Sequence, residues 1–404
     1  MTALGRSFWQ LYASSATSNL SHGIGRTVLP LLAASITRDP LLIAGLTSFA
    51  FLPWLLFALP AGALTDRVDR SHAMAVANAV RATATGVLAA LCLLGGTSVP
   101  VLYGGAFVLG TAETLYDSAT RALLPQVIRT GNLERANSLL TVEETLGQTF
   151  LGAPLGSALF ALAAALPFGL TAVGFTAAAI AVLSLPGSYR AAREEGTTII
   201  RGEIAAGVRW LAGHRLLRGL TLVSAATSFL QSMINGQLVL YVLEVLRLEP
   251  SAFGLILLVG GSGALVGGLV TPRLSARVGR SVLLPLGAAV SATATLLLGT
   301  VANGVVAAGL FAVAAAGVMV WNVLTMSLRQ ALVPAGLFGR VQGAYRTVVW
   351  GAIPLGALAG GILARATSVS TVFVVAGAGL LVAAATLAVL VRRHLPAEVP
   401  RLAD

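Results

Sequence analysis

Twelve long apolar segments, separated by short polar stretches, constrain the fold of this 404-residue chain more than any other feature. An α-helix needs about 20 apolar residues to cross the hydrocarbon core of a bilayer. Each segment is of that order, and together they occupy most of the chain. The sequence therefore predicts an all-α membrane protein with twelve transmembrane helices, at about residues 8–36, 41–64, 73–94, 99–122, 137–165, 168–188, 217–245, 251–272, 281–301, 304–328, 341–364 and 369–391.

Charge is scarce and clustered. Hydrophobic residues make up 56% of the chain and charged residues 10%, whereas a soluble domain carries about 25% charged residues. The net charge of +11 comes from clusters between the apolar segments, which indicates membrane topology and no nucleic-acid partner. Cys92 is the single cysteine, so a disulfide framework is excluded. Because the sequence has no phosphate-binding loop, metal-ligand cluster or nucleophile constellation, we expect no cofactor, no metal site and no enzyme activity.

A basic turn after the second apolar segment recurs 210 residues later. Gly62-Ala-Leu-Thr-Asp-Arg-Val-Asp-Arg70 aligns without gaps with Pro272-Arg-Leu-Ser-Ala-Arg-Val-Gly-Arg280. The same offset aligns Ala16-Thr-Ser18 with Ala226-Thr-Ser228. The chain is therefore a duplicated unit, and we expect two six-helix halves.

This turn resembles the loop between the second and third helices of the major facilitator superfamily, whose form is G-x-L-x-D-R-x-G-R. Asp69 stands in place of the second glycine, and the matching residues are Gly62, Leu64, Asp66, Arg67 and Arg70. The resemblance implies two pseudo-symmetric six-helix bundles related by an axis along the membrane normal. It also implies a substrate site at mid-membrane between the halves.

Two further stretches resemble the drug and siderophore exporter branch, which includes the macrolide-efflux and enterobactin-exporter proteins. One is the linker at residues 204–218. The other resembles the antiporter motif of the fifth helix at Gly152, Pro154 and Gly156, with one extra residue before the proline. Small residues with a proline also allow plain close packing of helices, and both interpretations stay open.

The arginines predict the orientation in the membrane. Most lie at one set of segment ends, and only Arg38, Arg247 and Arg365 lie at the opposite ends. We therefore expect a multi-pass protein of the inner, cytoplasmic membrane with both termini in the cytoplasm. The predicted parts are an N-terminal bundle, a cytoplasmic linker, a C-terminal bundle and a cytoplasmic tail, at 1–188, 189–216, 217–393 and 394–404.

The linker is predicted to contain an amphipathic helix on the inner membrane surface. Four apolar residues fall on one helical face, with arginines and Glu203 elsewhere: Ile200, Ile204, Val208 and Leu211.

Ionisable residues inside the apolar segments are the candidates for proton coupling, because each costs free energy on insertion and needs a partner or a role. Glu113 is the leading candidate; its alternative is a structural ion pair with an arginine of a neighbouring helix. Glu143 and Glu144 are adjacent, so at most one faces the central cavity. His22 competes with them, or is neutral and bonded to a polar neighbour.

Two other groups of residues are predicted. The basic turn is expected to act as a conformational latch, in which Asp117 forms a salt bridge with Arg67 or Arg70; the latch comprises Gly62, Asp66, Arg67, Arg70 and Asp117. Candidates for the substrate cavity are Asn19, Arg26, Gln231, Asn235, Trp321, Asn322 and Arg346.

The sequence thus predicts a secondary active transporter that exports a small amphipathic molecule, a drug or a metabolite, by proton antiport with alternating access. The few polar groups in the cavity favour amphipathic substrates over sugars. The expected partners are this molecule, protons and the lipid bilayer, with the protein working as a monomer. The alternatives are an uptake symporter or uniporter of the same fold, or a receptor or scaffold that transports nothing.

Overall fold

Helices form throughout this chain because its apolar segments are rich in strong helix formers, and because a backbone in lipid must satisfy its hydrogen bonds internally. The computed structural model describes residues 4–65, 67–128, 132–190 and 208–394. Within these ranges the regular structure is helical and contains no strand, and the helices coincide with the predicted apolar segments. The predicted fold class is confirmed.

The described residues divide into two compact units. The first combines residues 4–190 with 239–258, and the second combines 208–238 with 259–394. The predicted boundaries at the linker and the tail stay predictions. Helices of the N-terminal stretch are α1 (Arg6–Ile36), α2 (Pro40–Thr65), α3 (Arg70–Leu94), α4 (Val99–Val127), α5 (Leu133–Thr145), a π-helical segment (Leu146–Gly152), α6 (Ala153–Leu162) and α7 (Ala165–Leu183).

The remaining helices follow the linker. They are α8 (Arg215–Leu240), a second π-helical segment (Tyr241–Val245), α9 (Pro250–Val278), α10 (Arg280–Leu298), α11 (Gly304–Leu332), α12 (Ala335–Ala366) and α13 (Val369–His394).

Eight of the described helices are long and apolar enough to cross a membrane by length and composition. Helices α1 and α4 fall outside this set. Polar and ionisable side chains lower their hydropathy, among them His22 and Arg26 in α1 and Glu113 and Asp117 in α4.

The duplication is visible in the packing of each unit. In the first unit α3 packs against α4 and α7; in the second, the corresponding helix α10 packs against α11 and α13. The same helix pairs are therefore in contact in both copies, as a repeated sequence predicts.

The two copies of the basic turn end differently. Asp69 precedes α3 with φ −68° and ψ 125°, and its carboxylate accepts a hydrogen bond from the Ser71 N–H at 3.0 Å. Gly279 precedes α10 with φ 82°, in the left-handed region that favours glycine. An N-cap carboxylate in the first copy thus stands where the second has a glycine. Asp66 lies outside the described residues.

Most of the predicted amphipathic helix also lies outside the described residues, including Ile200 and Ile204. Residues 208–213 are helical. Val208 is exposed, whereas Leu211 is buried in an apolar cluster of the second unit with Leu216 and Val391.

Candidate functional site

Polar side chains from α1, α3, α4, α5 and the first π-helical segment meet inside the first unit. We call this set the α1 polar cluster, because α1 contributes to each part of it. Its members are Ser18, Asn19, His22, Asn78, Arg81, Glu113, Glu143 and Gln148.

Glu113 on α4 has two potentially cationic neighbours. Its Oε2 lies 2.5 Å from Nη1 of Arg81 on α3 and 3.0 Å from Nδ1 of His22 on α1. The side chain of Glu113 is 14% exposed and that of Arg81 is 1% exposed. Removing either partner of such a buried pair strongly destabilises the folded protein, because the other charge is then left uncompensated.

Arg81 is fixed from several directions. Its guanidinium carbon lies 4.3 Å from the ring centroid of Tyr116 and 4.6 Å from that of Phe175. Its Nη2 donates a 2.7 Å hydrogen bond to Oδ1 of Asn78, which also accepts one from the Ser18 hydroxyl at 3.1 Å. Neither Arg81 nor Asn78 is among the predicted site residues, although an arginine inside an apolar segment is a visible signal of a functional site.

Glu143 on α5 has a different environment. It is 4% exposed, and its Oε1 accepts a 3.0 Å hydrogen bond from Nδ2 of Asn19. Its Oε2 is buried without a hydrogen-bond partner, and no described arginine or histidine forms an ion pair with this carboxyl. Glu144, by contrast, is exposed. Of the adjacent pair, Glu143 is therefore the member directed into the cluster.

The first π-helical segment joins this cluster to the glycine–proline motif. Nε2 of Gln148 donates a 2.9 Å hydrogen bond to Oδ1 of Asn19. A Cβ on Gly152 would lie 2.9 Å from the Cα of Gly23 on α1, and one on Gly156 would lie 3.0 Å from the Ile24 carbonyl oxygen. The motif, with Pro154 in the first turn of α6, therefore includes two glycines that pack closely against α1.

The predicted latch residues are only partly brought together. Asp117 pairs with Arg121, one turn along α4, at 3.5 Å. The i,i+4 spacing gives Asp117 a partner on its own helix, and the expected salt bridge to Arg67 or Arg70 stays a prediction. Arg67 is exposed, whereas Arg70 is buried and its backbone N–H donates to the Tyr189 carbonyl at 3.4 Å.

A Cβ on Gly62 would meet nothing within 4 Å, so tight packing does not require a glycine at this latch position.

The predicted cavity residues fall into separate places. Gln231 and Trp321 line a small cavity of about 30 Å³ in the second unit. Asn322 and Arg346 line a larger cavity of about 470 Å³ between α11 and α12. Asn235 is exposed and lines neither cavity.

The predicted cavity residues of the first unit lie on α1. Asn19 belongs to the α1 polar cluster, and Arg26 is exposed.

A model of the transmembrane secretion effector family matches residues 4–399, almost the whole chain. The chain belongs to this family of the major facilitator superfamily (MFS). It is a multi-pass membrane protein of a superfamily whose members are transporters and not enzymes.

Two relatives of this chain are described as uncharacterised MFS-type transporters. One, from Mycobacterium tuberculosis strain H37Rv, is 28% identical over 299 residues, which cover 68% of this chain and 66% of that protein. The chain thus spans just under two thirds of that relative's length. The other, from Sinorhizobium fredii, is 27% identical over 393 residues, 94% of each protein.

Among solved structures, this chain resembles a crystal structure of a mutant of the nucleoside transporter NupG. The TM-score is 0.80, and the match covers 95% of this chain and 100% of that chain. The sequence identity is 13%, so this likeness establishes the fold alone.

Proposed function

We propose that this protein exports a small amphipathic molecule, a drug or a metabolite, in exchange for protons. The observation that supports it most is the α1 polar cluster, which holds two carboxyls and a histidine between the packed helices of the first unit. Ionisable groups at such depth are costly and mark ion pathways more often than they serve packing. The resemblance of the linker to the drug and siderophore exporter branch supports export over uptake.

The two carboxyls of the cluster are suited to different tasks. Glu113 has Arg81 as a buried counter-ion and His22 beside it, so its charge is compensated where it lies. Glu143 has neutral donors, the Asn19 amide and the Ser15 hydroxyl, and its Oε2 has no hydrogen-bond partner. A buried carboxylate without a cation costs several kcal/mol, whereas the neutral acid does not carry this penalty. We therefore assign the transported proton to Glu143, and a structural and relay role to the pair of Glu113 and Arg81.

This assignment couples protonation to conformation. When Glu143 carries a proton, it is neutral and can stay buried against α1, where Asn19 hydrogen-bonds both Glu143 and Gln148. When the proton leaves, the charge favours a conformation in which water or a cation reaches it. The free-energy difference between the two conformations thus changes with protonation, which antiport requires.

The first test measures uptake of a panel of small amphipathic drugs and metabolites into everted membrane vesicles, by mass spectrometry, with and without an acid-inside pH gradient. We expect accumulation that depends on the gradient. Glu143→Gln mimics the protonated form, so it should abolish gradient-driven accumulation while downhill exchange continues. Glu144→Gln makes the same chemical change on the adjacent, exposed residue and should leave accumulation within about twofold.

Three outcomes would contradict the proposal. Accumulation only in right-side-out vesicles would indicate uptake. Entry that does not depend on the gradient and stops at equal concentrations inside and outside would indicate a uniporter. If Glu113→Gln loses gradient-driven accumulation with full downhill exchange while Glu143→Gln retains both, the transported proton belongs to Glu113. His22→Ala in the same assay shows whether the histidine is needed for coupling.

A further inference from the structure

The larger cavity of the second unit has the size of a ligand site. Its volume of about 470 Å³ lies within the range of about 300–1,000 Å³ typical of small-molecule pockets. It lies between α11 and α12, and its wall combines two arginines with aromatic, amide and apolar side chains. The residues that matter to the argument are Met326, Arg329, Gln342, Tyr345, Arg346 and Trp350.

Arg329 is the unusual member of this wall. Its side chain is 8% exposed, and its guanidinium carbon lies 3.9 Å from the ring centroid of Tyr345. Its Nη2 lies 3.5 Å from the sulfur of Met326, a weak acceptor, and its Nε has no hydrogen-bond partner. A cation–π contact offsets only part of the free-energy cost of burying a cation, so these neighbours leave the charge undercompensated.

Among the described residues, no aspartate or glutamate forms an ion pair with Arg329, and the sequence of the second unit explains why. Between Glu249 and Glu398 the chain contains no aspartate and no glutamate, and residues 208–238 contain none either. In the first unit the buried Arg81 has Glu113, and the exposed Arg121 has Asp117. The position four residues before Arg329 is Thr325, where the first unit has Asp117 before Arg121.

We propose that this cavity binds the anionic group of an amphipathic organic anion, such as a carboxylate, sulfonate or phosphate. Arg329 supplies a preformed, partly unpaired donor, and Arg346, whose guanidinium carbon lies 5.3 Å from the ring centroid of Trp350, supplies a second charge on the same wall. The buried Oε1 of Gln342, which has no hydrogen-bond partner, can accept a bond from a hydroxyl or amide of the same ligand. The interpretation of this anion site as a substrate site rests on the proposed function.

The apolar part of the wall suits the rest of such a ligand. Val323, Met326 and Val349 line the cavity beside the aromatic rings. An anionic head with an apolar or aromatic body therefore finds a charge partner and an apolar surface in one cavity. A cationic amphiphile would meet two arginines and no acid.

Two dyes with the same aromatic skeleton provide the test. 1-Anilinonaphthalene-8-sulfonate carries a sulfonate, and N-phenyl-1-naphthylamine is its uncharged counterpart. Each is titrated by fluorescence into the purified full chain in phosphatidylcholine nanodiscs, with empty nanodiscs subtracted. We expect Arg329→Gln to weaken binding of the sulfonate by about 10- to 100-fold, because a charge-assisted bond is lost, and to leave the neutral dye unchanged.

The controls separate charge loss from misfolding. Arg273→Gln removes an exposed arginine of the same unit and should alter neither dye. Arg346→Gln changes a less buried residue of the same cavity, so its dye affinities provide a second test of the site if Arg329→Gln fails to fold. Equal sulfonate affinity in the wild type and in the cavity variants that fold would overturn the proposal, as would equal loss of both dyes.

The bilayer itself is a second source of anions. With phosphatidylglycerol added to the nanodiscs, a fall in sulfonate affinity that disappears in Arg329→Gln would identify a lipid headgroup as the occupant. An unchanged affinity would identify a free anion. Both results support the anion site, and neither depends on proton-driven accumulation, so failure of the export proposal would leave the dye measurement intact.

Discussion

At the start of α3, Asp69 replaces the usual glycine of the turn with a different stabilising contact. Its carboxylate accepts hydrogen bonds from the Ser71 hydroxyl at 2.7 Å, the Tyr189 N–H at 2.8 Å, and the Ser188 hydroxyl and Ser71 N–H at 3.0 Å. Partial burial alone would raise the pKa of Asp69, but these hydrogen bonds outweigh it and hold the pKa well below its ordinary value. The residue therefore joins α3 to the chain after α7.

The depressed pKa makes a prediction about stability and pH. The stabilisation from Asp69 is fully present above the ordinary aspartate pKa of about 3.9 and is lost as the pH falls through the lower folded-state pKa. Asp69→Asn should lower the free energy of unfolding by about 1–2 kcal/mol at pH 7, and this difference should shrink below about pH 4. Thermal unfolding of the wild type and Asp69→Asn in detergent, at pH 7 and at pH 3, measures this difference in the free energy of unfolding.

Ser188→Ala provides the control for Asp69. It removes one donor to the carboxylate, so it should reduce the effect of Asp69→Asn in a double-mutant cycle. A difference between wild type and Asp69→Asn that stays constant down to pH 3 would exclude the ionised carboxylate as its source.

The sequence revealed which residues of the α1 polar cluster are ionisable, but not how they pair. Glu113 and Arg81 stand 32 positions apart on different helices, and their contact depends on the rotation of α3 against α4. Glu143 and Glu144 are equivalent in the sequence, and only the packing of α5 on α1 separates a buried carboxyl from an exposed one. The periodicity of apolar residues predicts a helix, but it does not predict the angle at which that helix packs against its neighbours.

Among the helical elements, the first π-helical segment is the least predictable from sequence and the closest to the candidate site. A π-helix accommodates one additional residue in a helix and is found often at functional sites. The glycine–proline stretch contains one residue more than the antiporter motif it resembles, just before Pro154. That irregularity was the available signal, because the extra residue, Ala153, directly follows the π-helical segment Leu146–Gly152 and begins α6.

The close approach of this segment to α1 makes a second prediction. Gly152→Ala would place a Cβ 2.7 Å from the Gly147 carbonyl oxygen and 2.9 Å from Gly23 backbone atoms, which cannot move aside like a side chain. We expect a loss of about 1–3 kcal/mol, seen as a lower melting temperature, because the interface is overpacked. Gly169→Ala in α7, where a Cβ meets nothing within 4 Å, should leave stability unchanged or slightly raised.

Activity would distinguish packing from coupling in this segment. If Gly152→Ala melts like the wild type, the close approach of the π-helical segment to α1 is wrong. If it is destabilised but keeps gradient-driven accumulation, the segment is a packing surface and not part of the proton pathway.

At the scale of the whole molecule, the sequence predicted the helical class and the repeat, because both rest on long-range patterns that survive imprecise boundaries. Hydrophobic segments of membrane length allow few alternatives to a helix. It did not predict that Arg329 is a buried cation without an acidic partner among the described residues, because the burial of Arg329 is known only from the structure. Among the cavity candidates, Trp321 and Asn322 are neighbours in sequence yet line different cavities, because successive residues of a helix point in different directions.

The proposed orientation gives a prediction for the whole chain. In a Cys92→Ala background, Glu195→Cys and Glu398→Cys should resist a membrane-impermeant maleimide in intact cells and react in everted vesicles, because arginine-rich ends stay in the cytoplasm. Arg365→Cys, at the opposite set of helix ends, should show the reverse. Labelling of position 195 or 398 from outside intact cells would invert the topology.

The absence of acids in the second unit has an electrical consequence. Residues 215–238 and 259–393 contain no aspartate, glutamate, histidine, cysteine or lysine, and Tyr345 is their one tyrosine. Arginine and this phenol are therefore the only ionisable side chains in these ranges, and in free peptides both types titrate at about pH 10 or above. A membrane voltage therefore acts on the same fixed positive charge in them from about pH 5 to pH 9. Any current that varies with pH over that interval must arise from the rest of the chain, from the cargo or from protons in transit.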